Sequence, residues 1–165
     1  MKTFSNISLG TSRLTASLLL AAGLLPVAPA RADLLEGLGR WNGNGSVLSP
    51  EGTRLTDFRV ELTRTTAGPD RVETRGTVTT TEGQVIPVRS LVTRTAQGFV
   101  TQSDRGKGYA TCVDPSVCHS YEVDAAGNGT TTTILVDGAR RLRILVTELE
   151  KGKPVRLIWE TLSQP

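Results

Sequence analysis

Asp57-Phe58-Arg59-Val60-Glu61-Leu62 alternates charged and apolar side chains for six residues without a break. Successive side chains of an extended chain point to opposite faces. The stretch therefore predicts a strand with Phe58, Val60 and Leu62 on a buried face and Asp57, Arg59 and Glu61 in water. The same period of two recurs downstream. Val72, Thr74, Gly76 and Val78 alternate with Arg71, Glu73, Arg75 and Thr77. Val85 to Thr95 places Ile86, Val88 and Val92 on one face, while Pro87, which cannot donate to a sheet ladder, marks an edge or a bulge. Shorter runs follow at residues 99–102, 109–112, 118–124, 130–136, 142–149 and 155–162. Turn sequences separate them, among them Pro50-Glu51-Gly52, Gly68-Pro69-Asp70, Gly127-Asn128-Gly129 and Lys151-Gly152.

Nine or ten short strands joined by tight turns, with no helical period beyond Leu38, predict an all-β fold. The expected form is a small antiparallel up-and-down β-barrel of about 8–10 strands, because closure removes the exposed edges of such a meander. A β-sandwich is the alternative. Asp33 to Leu38 reads as a short N-terminal helix, with Asp33 as its cap and Leu34, Leu35 and Leu38 as an apolar stripe.

Residues 1–32 read as a secretory signal peptide, leaving residues 33–165 as one β-barrel domain. Lys2 and Arg13 precede the apolar run of residues 14–27, and Ala30-Arg31-Ala32 offers small residues where a signal peptidase cuts. A membrane anchor is the rival reading. It needs about 20 uninterrupted apolar residues, and Gly23 and Pro26 interrupt this run. Export places the protein in the periplasm or outside the cell. It also corrects the charge: the full chain has 19 Lys and Arg against 16 Asp and Glu, but Lys2, Arg13 and Arg31 leave with the signal and no acid does. A balanced domain lacks the concentrated basic surface that phosphate contacts require, so nucleic acid is not an expected partner. Arg140, Arg141 and Arg143 form the one basic cluster and read as a solvated strand end.

Cys112 and Cys118 suit a disulfide in an exported domain, closing a short loop over the turn sequence Asp114-Pro115-Ser116. A metal site competes for them. The chain has one His, His119, so the ligand count falls short unless acids help, and no metal or other cofactor is expected. Enzymatic motifs are missing too. There is no Gly-x-Ser-x-Gly elbow, and Gly106-Lys107-Gly108 lacks the spacing of a phosphate loop. A general base would have to be His119. Asn44-Gly45-Ser46 and Asn128-Gly129-Thr130 fit the N-glycosylation pattern but read more simply as turn residues.

Gly39-Arg40-Trp41-Asn42-Gly43-Asn44-Gly45 resembles the opening of the calycin-like barrels. In lipocalins and their relatives a short helix leads into Gly-x-Trp on the first strand, and nitrobindin-type barrels carry the longer Gly-x-Trp-x-Gly-x-Gly. The resemblance implies that Gly39, Trp41 and Arg156 form a structural plug, with Arg156 from the last strand packed across Trp41 and Arg143 as second choice. It also implies a lumen able to take a ligand. Haem barrels of the nitrobindin type use a His near the C-terminus, and this chain has none after His119. The physics of the motif stands apart from the family: a Trp is large enough to close one barrel end, and glycines let a strand bend.

Three functional readings follow. The first is a non-catalytic exported barrel binding a small apolar or amphipathic ligand. Its lumen would be lined by Phe58, Val60, Leu62, Val72, Val78, Val88, Val92 and Leu157. The second is an envelope protein-interaction module, an inhibitor or assembly factor. It would capture another envelope protein through the Cys112–Cys118 loop and the nearby Tyr109, His119 and Tyr121. The third, an enzyme, has no visible site. The barrel interior discriminates the first two: an apolar void of about 300 Å³ or more favours ligand binding, a packed core favours the interaction module.

Overall fold

The computed structural model describes residues 34–104, 106–114, 116–124, 128–137 and 140–165. The expected signal segment and Asp33 lie outside them. Ten strands follow one another: β1 (Gly39–Leu48), β2 (Arg54–Gly68), β3 (Arg71–Thr80), β4 (Val85–Thr95), β5 (Gly98–Ser103), β6 (Gly106–Asp114), β7 (Val117–Asp124), β8 (Gly129–Val136), β9 (Arg141–Glu150) and β10 (Lys153–Ser163). Each is antiparallel to its chain neighbour, and β1 closes on β10 with Ser46 opposite Trp159. This is the closed up-and-down barrel that the alternation implies. Among the described residues there is no helix. Leu34 and Leu35 form a turn, and only Leu34 of the expected stripe is buried, Leu38 standing exposed.

Phe58, Val60 and Leu62 on β2 point inward, as do Val72, Val78, Val88 and Val92 on β3 and β4; all seven are buried. Ile144, Val146, Ile158 and Leu162 complete the core from the other side and have no exposed surface. Outward positions of β2–β4 carry charge, with Glu73 held between Arg75 at 2.9 Å and Arg89 at 2.7 Å. Those two guanidiniums lower the Glu73 pKa. Apolar inside and charged outside is the arrangement of a barrel in water and the inverse of a membrane barrel.

Pro87 sits where its missing N–H does no harm. It pairs with Thr77 on β3, but the β4–β5 ladder begins only at Ser90 opposite Ser103. Gly43 and Gly45 do not mark the bulge of β1, whose register shift against β2 falls at Val47/Leu48. They allow close approach instead: a Cβ on Gly45 would lie 2.2 Å from the Phe58 ring and 2.7 Å from the Trp159 carbonyl oxygen.

Trp41 is buried at the end where β1 begins, and its indole N–H donates to the Gly37 carbonyl at 2.8 Å. The arginine at that end is not the expected one. Arg156 lies at the opposite end, beside Glu148 on β9, with 3.6 Å between Nη1 and Oε2. Arg143 points outward to Asp137 at 2.6 Å. Arg64, from β2 and opposite Gly39, is the buried guanidinium at the Trp41 end. It donates to the carbonyls of Leu34, at 2.5 Å, and Glu36, and to Thr74 Oγ1 at 3.3 Å. It ties the segment before β1 over the barrel mouth.

Cys112 and Cys118 form a disulfide and stand directly opposite each other, Cα atoms 3.9 Å apart, so the bridge clips the β6–β7 hairpin near its tip. Asp114 then turns the chain, accepting hydrogen bonds from the Ser116 amide at 2.6 Å and hydroxyl at 2.7 Å, which hold its pKa low. A bridge over so few residues constrains the unfolded chain modestly. Replacing both cysteines with alanine should cost about 2 kcal/mol. Urea denaturation should show this as a lower midpoint, with at most a slightly steeper slope because the unfolded chain is freed; an unchanged midpoint would mean that the bridge adds no stability.

Candidate functional site

The residues expected to form an interaction loop do meet, but on strands. Tyr109 on β6 stands directly opposite Tyr121 on β7, and Thr111 opposite His119. The next pairs across are Tyr121 with Thr131 and His119 with Thr133 on β8. All of these point outward. Tyr109 is 73% exposed and Tyr121 48%, high values for aromatic rings on a sheet face. His119 Nδ1 lies 3.1 Å from Thr133 Oγ1, which orients the imidazole along the sheet.

Between these side chains and the β4–β5 turn lies a cleft of about 550 Å³. Thr95 and Gln97 bound it at one end, and Val100, Tyr109 and Tyr121 give it apolar walls. The volume is in the range of small-molecule sites, which are typically concave and mostly apolar with a few polar groups that fix orientation. The polar groups here are His119 and the hydroxyls of Thr111, Thr131 and Thr133. Cross-strand pairing across a clipped hairpin makes the two tyrosines a fixed pair rather than a mobile loop.

The interior is differently made. Seven of the eight residues expected in the lumen face inward, and their exposures of 0–4% show the inner face closed around them. Leu157, the eighth, does not: it is half-buried on the outward face with Trp159, while Arg156, Ile158, Glu160 and Leu162 point in. A register shift between Pro154 and Arg156 sets that phase.

Polar groups that pattern reading missed line the interior at the end away from Trp41. Glu122, Thr130 and Glu148 are successive partners across β7–β9, and Glu148 pairs with Arg156. Thr101 Oγ1 donates to Glu122 at 2.9 Å. Gly108, opposite Glu122, must lack a side chain: a Cβ there would lie 2.5 Å from Glu122 Cγ. Glu160 stands deeper. Its carboxyl has no exposure and no hydrogen-bond partner on either oxygen, and burial pushes its pKa well up. Among the described residues no group of three or more His, Cys, Asp or Glu is placed to hold a metal ion.

No protein-family model and no curated protein matches this sequence. Solved structures do match it. An S-type phycobiliprotein lyase from Guillardia theta superposes with a TM-score of 0.62 at 9% identity, over 78% of this chain and 88% of that one. A protein of unknown function from the DUF3598 family of Nostoc punctiforme gives 0.60 at 13% identity, over 85% of this chain and 52% of that one. At such identities the likeness is one of fold: the chain is similar to these proteins in being a closed antiparallel barrel.

Proposed function

We propose that this protein is a non-catalytic binding barrel of the periplasm or the extracellular space, and that it holds a small apolar or amphipathic molecule in the outer cleft of β5–β8. The observation that carries the reading is the Tyr109–Tyr121 pair forming the wall of a cleft of about 550 Å³. Two exposed rings held opposite each other lend the hairpin a modest cross-strand contact and leave most of their surface open to a ligand. A flat or elongated apolar ligand placed against them would gain ring contacts, each worth about 0.5–1.5 kcal/mol beyond its area term. His119 and the threonine hydroxyls would receive its polar end. The disulfide fits an oxidising compartment. The Gly39-x-Trp41 opening, with Arg64 tying the chain over that end, fits calycin-like kinship.

The fluorescent probe 1-anilinonaphthalene-8-sulfonate tests this. It should bind one per barrel, and Tyr121→Ala should weaken binding about tenfold, with Tyr109→Ala similar, the loss expected when an aromatic anchor is removed. Both residues are exposed, so neither change should alter thermal unfolding by more than about 0.5 kcal/mol. Probe binding that survives the double replacement would remove the cleft as the site. A peptide segment of another envelope protein is the other occupant of suitable shape; competition between the probe and unfractionated envelope proteins, lost in the same variants, would favour it.

A further inference from the structure

The opposite side of the barrel, across the seam of β10, β1 and β2, carries a second trough that the cleft does not use. Its floor is the outward row Asn42, Asn44 and Ser46 on β1. Each floor residue is flanked on both sides in register: Asn42 by Ser163 and Glu61, Asn44 by Thr161 and Arg59, Ser46 by Trp159 and Asp57. The short side chains of β1 and of Thr161 and Ser163 lie low between Trp159 at one end and Arg59 and Glu61 along the β2 edge, which leaves a groove. It encloses about 1250 Å³ and runs from Arg54 and Thr81 to Arg141 and Ser163.

We propose that this trough binds a short oligosaccharide. Four observations converge on that class of ligand. Trp159 presents its indole on the outward face at 41% exposure, the platform on which the C–H face of a sugar ring stacks. The groove floor carries two side-chain amides, Asn42 and Asn44, which both donate and accept, as vicinal hydroxyls require. Arg59 and Glu61, a guanidinium and a carboxylate on one edge, add fork-shaped donors and acceptors, and, like those of Asn42 and Asn44, their side chains make no hydrogen bond or ion pair with another described residue. The trough exceeds the usual 300–1,000 Å³ of a closed small-molecule pocket and is open along its length, which suits a chain of sugars rather than one ring. Asp57 is already committed. It accepts from Ser46 Oγ at 2.7 Å and from Arg54 at 2.6 Å, which lowers its pKa and fixes the wall at one end. Asn44, read from sequence as a turn residue, lies instead in mid-strand with its amide free in this groove.

The chain offers its own reporter. It has two tryptophans, one buried at 1% and the other in the trough, so quenching by acrylamide reads Trp159 almost alone. The intact protein is titrated with cellotetraose, maltotetraose and chitotetraose, each to about 10 mM, weak binding being usual for exposed grooves. At least one should shield Trp159 from the quencher in a saturable way. For that sugar, Asn44→Ala and Arg59→Ala should raise the apparent Kd by about threefold to tenfold, and Trp159→Ala should abolish binding by calorimetry in a barrel that still unfolds cooperatively in urea. Tyr121→Ala, on the other side of the barrel, should change nothing. No protection by any of the three sugars, or protection indifferent to Asn44→Ala and Arg59→Ala, overturns the assignment.

Discussion

Glu160→Leu is expected to stabilise the protein by about 2 kcal/mol, raising the thermal midpoint by about 5–10 °C, an unusual direction for a change in the centre of a core. The reason is local. Glu160 faces the interior between Gly45 on β1 and Ile144 on β9, with Ile158 and Leu162 on either side along its own strand. Nothing there returns the hydrogen bonds that its carboxyl gives up on leaving water. Leucine has similar volume and no such loss.

The pH dependence carries the sign. The unfolded carboxyl titrates near its ordinary value of 4.5, and the folded one well above it. Below the ordinary value both forms are protonated and this group leaves stability untouched. As pH rises past that value the folded protein holds the proton that the unfolded chain has released, so stability falls until the folded group also ionises. The advantage of Glu160→Leu should therefore widen from about pH 4.5 upward, and Glu160→Gln should remove the pH-dependent part alone. A difference between wild type and Leu variant that stays flat from about pH 4 to pH 8 would mean the carboxyl is satisfied by a partner. Asp57, Glu73 and Asp114 act in the other direction: their pKa values are lowered, and their small contributions disappear as pH falls.

Arg64→Met should be the most damaging single change, costing about 3–5 kcal/mol. The guanidinium serves two main-chain carbonyls of the segment before β1, Leu34 and Glu36, and reaches Thr74 on β3. Methionine fills much of the space but leaves those acceptors buried without donors, each a loss of about 1–3 kcal/mol. The segment would then lift, unseating Leu34 and opening the route to Trp41. Red-shifted tryptophan emission before the main unfolding transition is the expected sign. An unshifted spectrum with a small stability change would show that the segment is held by its other contacts, among them Leu34 and the Trp41–Gly37 hydrogen bond.

Most of the architecture could be read from the chain because its inner and outer faces alternate cleanly. Phe58, Val60 and Leu62 state the phase of β2 without ambiguity, and Pro87 correctly marks the part of β4 not laddered to β5. The reading fails where the alternation inverts. On β10 the apolar Leu157 and Trp159 face out while the charged Arg156 and Glu160 face in beside Ile158 and Leu162, so a rule that sends apolar residues inward finds no clear phase. On β2 the inward series ends in Arg64, whose role depends on carbonyls some thirty residues earlier. The Tyr109–Tyr121 pair needs hairpin register, which the Cys112–Cys118 bridge specifies but spacing alone does not. Such inversions concentrate where a chain does something besides fold.

The β1–β10 seam has a consequence for how the molecule comes into being. Asn42 meets Glu61 on the neighbouring β2 early, but its partner on the other side, Ser163, lies at the far end of the sequence. A polypeptide made from its amino end delivers β1 long before β10, and the sheet growing meanwhile would carry two raw borders able to zip onto a stranger. The final strand then acts as a latch, converting a sticky ribbon into a self-contained cylinder in one step.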